Sequence, residues 1–70
     1  MNANATLLQK KYARIVELYA QTYQVTLETS LDRFYRSDLY QLISRGVSDL
    51  QCMSDAYLAE ELHEDWNSKP

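Results

Sequence analysis

A chain of 70 residues with one glycine and one proline has few of the turn residues that an all-β protein would need. Gly46 is its sole internal glycine or proline, because the proline is the last residue. An all-β fold is thereby disfavoured. The expected class is all-α: a compact bundle of three to four helices, with a long first helix, a short central helical pair and an amphipathic acidic last helix. Hydrophobic content of 46% argues against disorder along the whole length. A single helical domain over residues 1–70 is expected, near the lower size at which one apolar core outweighs conformational entropy. Residues 1–5 and 67–70 read as flexible ends.

Hydrophobic spacing places the elements. Leu8, Tyr12, Ile15, Val16, Tyr19 and Tyr23 recur at steps of three and four, which predicts an amphipathic helix over about 6–24. Val25 and Thr26 interrupt it, and Thr26 can cap a second helix that buries Leu27, Leu31 and Phe34 and ends near Tyr35. Ser37 and Asp38 begin a third, with Leu39, Leu42 and Ile43 on its apolar face and Gly46 as the left-handed residue after it. Helices two and three could equally be one bent helix. Val47 to Met53 reads as a connecting loop tied to the core. Ser54 caps the last helix, with Met53 stapled against Leu58 and with Leu58, Leu62 and Trp66 at four-residue steps. The expected core is Leu8, Tyr12, Ile15, Tyr19, Leu27, Leu31, Phe34, Leu39, Leu42, Ile43, Leu58, Leu62 and Trp66.

Charge is distributed unevenly beneath a net value of −3. Residues 1–45 carry six cations against four anions, a net +2; residues 46–70 carry Lys69 against six anions, a net −5. The last helix holds Asp55, Glu60, Glu61, Glu64 and Asp65 and no Lys or Arg. Such a face repels a phosphate polyanion and attracts a basic protein surface. Glu64 and Asp65 lie near the helix C-terminus, where negative charge is disfavoured, so fraying of the last turn is expected.

Location follows from what is absent. Cys52 is the single cysteine, so no internal disulfide can form, and cytoplasmic residence is expected. Met1 to Gln9 lacks the pattern of a signal peptide, and no apolar stretch approaches 18 residues.

Candidate chemistry is sparse. Cys52 and His63 stand roughly 12 Å apart along the chain axis of a helix, too far for a nucleophile and its base, so Cys52 reads as a semi-buried structural thiol. Glu60, His63 and Glu64 have a metal-compatible helical spacing, but one helix rarely completes a site and a solvated acidic face is the simpler reading. Tyr12, Tyr19 and Tyr23 fall on the core stripe, whereas Tyr35, Tyr40 and Tyr57, with Trp66, could project as interface anchors. No catalytic residue, cofactor or metal is assigned.

The segments Phe34 to Ile43, Gly46 to Leu50 and Ser54 to Leu62 resemble a family of small uncharacterised bacterial helical proteins, some encoded beside ADP-ribosyltransferase-like toxin genes. That resemblance covers most of the chain and implies a neutralising or accessory role. The expected function is a non-enzymatic protein-protein interaction module, antitoxin-like or accessory, that binds a basic partner through Tyr57, Glu60, Glu61, Glu64 and Asp65. A homodimer would add stability to so small a core. The alternative is a small DNA-binding regulator using Lys10, Lys11 and Arg14, although nucleic acid suits neither helix three nor helix four.

Overall fold

The computed structural model describes residues 4–46, 50 and 52–68, with side chains from Leu8 onward. Among these, the chain forms four helices and no strand: α1 Asn4–Tyr23, α2 Leu27–Arg36, α3 Asp38–Ser44 and α4 Asp55–Asn67. α1 is the spine, packing most extensively on α4 and then on α2, while α3 bridges α2 and α4. No helix is long and apolar enough to cross a membrane.

Caps set the boundaries. α1 ends where Gln24 turns left-handed at φ 56° and the Val25 N–H reaches back to the Ala20 carbonyl at 3.1 Å, the six-to-one bond that closes a helix C-terminus. Thr26 accepts from the Thr29 N–H, Ser37 from Tyr40 and Ser54 from Tyr57, each at the Ncap of the helix that follows. Ser37 also donates its hydroxyl to the Phe34 carbonyl, so one buried side chain ends α2 and begins α3. The central pair is therefore two helices. Gly46, at φ 73°, follows α3, and its N–H bonds to the Ile43 carbonyl.

The core joins Ile15, Val16 and Tyr19 of α1, Phe34 of α2, Leu39 and Ile43 of α3, and Leu58, Ala59 and Leu62 of α4. Tyr12 closes one end in a ring cluster with Phe34 and Tyr40, at centroid separations of 5.1 and 5.6 Å. Burial, with Tyr40 and Tyr35 beside it, pushes the Tyr12 phenol above its ordinary range.

Three expected core residues lie elsewhere: Leu27 is 56% exposed, Leu31 45% and Leu42 40%. The cause for α2 is Ser30, which is fully buried and donates to the Val16 carbonyl at 2.8 Å. A small, satisfied side chain lets α2 approach α1 closely, so the Ser30 and Phe34 stripe turns inward and rotates Leu27 and Leu31 to the rim. In α3 the buried pair is Leu39 and Ile43, one position round from Leu42. Leu8, Tyr12 and Trp66 are half-buried.

The ends also differ from expectation. α1 includes Asn4 and Ala5, and α4 runs through Asn67 to a C-cap at Ser68, whose N–H and hydroxyl bond the Glu64 and Asp65 carbonyls. Met53, just before the Ser54 cap, is 39% exposed, and its carbonyl accepts from Lys11. Leu50 of the connecting segment packs on the core; residues 47–49 and 51, like 1–3 and 69–70, lie outside the described residues.

Candidate protein-binding surfaces

The five carboxylates of α4 divide into two groups. Asp55 stands in the first turn, 2.9 Å from the Lys11 ammonium and 2.8 Å from Arg14 Nε, so α1 neutralises it directly. Burial alone would raise its pKa, but the hydrogen bonds and charges of Lys11 and Arg14 outweigh burial and hold the carboxyl below its usual range. Asp65, expected to face a partner, turns inward: its Oδ2 accepts the Asp38 N–H at 2.8 Å and the Leu39 N–H at 3.4 Å. The charge that is unfavourable at the end of α4 is thus favourable at the start of α3.

Glu60, Glu61 and Glu64 remain, and they form no ion pair among the described residues. With Tyr57 they follow the spacing i, i+3, i+4 and i+7, which aligns all four on one stripe of α4. Tyr57, Glu60 and Glu64 are exposed and Glu61 is half-buried. Beside the stripe lies a shallow hollow of about 280 Å³ between α1 and α4, lined by Leu18, Thr22, Tyr23, Ala56, Ala59 and Glu60.

Tyr23 links the hollow to the acidic stripe. Its ring stacks on His63 at 4.0 Å with the planes 6° apart, and the Asn67 amide lies 3.0 Å from His63 Nε2. Burial, followed by Glu60, Tyr19 and Glu64, pushes the Tyr23 phenol above its ordinary value. His63 is accordingly held by an aromatic face and an amide. Among the described residues no three His, Cys, Asp or Glu side chains gather as a metal site. Cys52 is exposed, not semi-buried.

Two other expected anchors are tied into the fold. Trp66 is half-buried beneath the Arg33 guanidinium, 5.3 Å from the ring centre, and Arg33 also donates to the Tyr19 hydroxyl at 3.0 Å. Tyr40 is half-buried in the aromatic cluster. Tyr35, 46% exposed, does project. The basic trio considered for DNA is broken up, since Lys11 and Arg14 pair with Asp55, and among the described residues Lys10 forms no ion pair.

A second concave surface was not anticipated from the sequence. α1 and α2 enclose an apolar groove of about 540 Å³, with Tyr12, Ala13 and Val16 on one side and Leu27, Leu31 and Tyr35 on the other. Leu27 and Leu31 are expected in the core from their spacing and Tyr35 as a projecting anchor; the structure aligns all three, at i, i+4 and i+8, along one edge of this groove.

Comparison with protein-family models, curated protein sequences and solved structures finds no match to this chain. The bacterial family resemblance therefore rests on the residues quoted for it alone.

Proposed function

We propose that the protein is a non-enzymatic binding module that engages a basic protein surface through the outward stripe of α4. The observation that carries this reading is the division of the acidic helix: Asp55 and Asp65 serve the fold, while Glu60, Glu61 and Glu64 stand around exposed Tyr57 without ion pairs among the described residues. Three aligned carboxylates repel one another, and a partner's Lys or Arg side chains relieve that repulsion. The aromatic ring and the hollow beside it supply apolar contact, which the charges alone would not. Electrostatic attraction of this kind acts chiefly on the association rate and weakens with salt. An antitoxin-like or accessory role within this class is supported by the bacterial resemblance only.

The test is binding by a variant carrying Glu60→Lys, Glu61→Lys and Glu64→Lys. Partner capture that is lost in this variant supports the reading; capture that is unchanged shows the stripe to be a solvated exterior.

A further inference from the structure

We infer that the α1–α2 groove is the interface of a two-fold homodimer, independent of the acidic stripe on α4. Leu27, Leu31 and Tyr35 expose 56, 45 and 46% of their surface along one edge of α2, an apolar ridge beside the groove. Such a ridge and groove are complementary to a second copy of themselves once related by a two-fold axis, because an isologous interface pairs the same patch on both subunits.

The charges along the groove select that occupant. Glu17 and Glu28 line the Leu27 end of the groove; Lys10 is not in its lining but stands seven residues before Glu17, on the same side of α1, and so flanks the groove's Tyr35 end. All three are exposed and none forms an ion pair among the described residues. A two-fold axis passing near Ala13 and Leu31 reverses the groove, setting the Lys10 end of one copy against the Glu17 end of the other, twice over. Ala13 is exposed and offers only a methyl group where the two α1 helices would cross, so they can approach closely. The acidic stripe, by contrast, would meet itself as like charge.

The two surfaces do not compete. Thr22, which lines the hollow beside the acidic stripe, lies on the opposite side of α1 from Ala13, and the hollow and the groove share no lining residue. A dimer through the groove therefore presents two outward acidic stripes. The groove is small beside a standard stable interface, so a weak, reversible association is expected.

Sedimentation of the full chain from about 5 to 300 µM in low salt is expected to give a reversible monomer–dimer equilibrium. Leu31→Lys and, separately, Leu27→Lys should leave monomer at every concentration with helical circular dichroism unchanged, since both side chains are already exposed. Lys10→Glu and Glu17→Lys should each weaken the dimer about tenfold, and the double variant should return to within about threefold of the parent. Glu60→Gln/Glu64→Gln should dimerise like the parent, so failure of the acidic-stripe reading is distinguishable. A parent that stays monomeric at 300 µM, a folded Leu31→Lys chain that still dimerises, or a double variant no better than the singles would each overturn the inference. The first of these would leave the groove to a helix of another protein.

Discussion

The carboxylate of Asp65 accepts the backbone N–H of Asp38 at 2.8 Å, so the last turn of α4 caps the first turn of α3. Ser37 already caps the same helix through the Tyr40 N–H. α3 has seven residues and few internal hydrogen bonds to spare, and these two side chains bind the free amides that a short helix otherwise leaves to water.

Replacing Asp65 by Ala should therefore destabilise the protein by about 1–2 kcal/mol, the range of a lost N-cap with its favourable charge. Glu64→Ala next to it should change stability by less than about 0.5 kcal/mol. Urea unfolding of the two variants at neutral pH measures the contrast; equal effects would mean the Asp65 contact is not made in solution.

Asp55 gives stability a defined pH dependence. Its folded pKa is depressed, so its contribution is complete above the unfolded carboxyl's range, near pH 4, and fades as pH falls through the lower folded value. Asp55→Asn should cost about 1 kcal/mol at pH 7, discounted because Arg14 is half exposed. The gap between parent and variant should close as the solution is acidified below about pH 4. A gap that is constant from pH 7 to pH 2 would contradict the ion pairs.

These two carboxylates mark the limit of what was legible. Thr26, Ser37, Ser54 and Gly46 declared the helix boundaries because capping is local chemistry, set within three or four residues. The α1 stripe was equally plain. The roles of Asp55 and Asp65 depend on groups 41 and 27 residues away, and no local pattern encodes which acid will meet them. The α2 face was misassigned by one position because Ser30 looks polar and Leu31 looks buried. Only the Val16 carbonyl, supplied by another helix, makes the serine the better core residue.

Two backbone positions predict opposite substitutions. Gly46 is left-handed with open space where a Cβ would stand, so Gly46→Ala should cost about 1 kcal/mol through the backbone alone. Gln24 is left-handed and is not glycine, so Gln24→Gly should stabilise by about 0.5–1 kcal/mol. Thermal unfolding of both variants decides the signs.

Tyr23 reports on the acidic stripe without a partner. Glu60→Gln/Glu64→Gln should lower its phenol pKa while leaving it above the ordinary value of 10.0, since burial is the larger cause. Because the folded pKa is raised, stability should decline as pH rises above about 10, where the unfolded chain ionises first. The difference in ultraviolet titration between each chain and its Tyr23→Phe counterpart isolates this group. No shift between parent and double variant would place Glu60 and Glu64 away from the ring.

The central claim is that Glu60, Glu61 and Glu64 form a docking face for a basic protein. Its most direct measurement is quantitative capture from an extract of the encoding organism, comparing the parent with the Glu60→Lys/Glu61→Lys/Glu64→Lys chain. The account predicts a basic protein retained by the parent, lost from the triple variant and released by about 0.5 M salt. Retention of the same proteins by both chains, or of none by the parent, would contradict it.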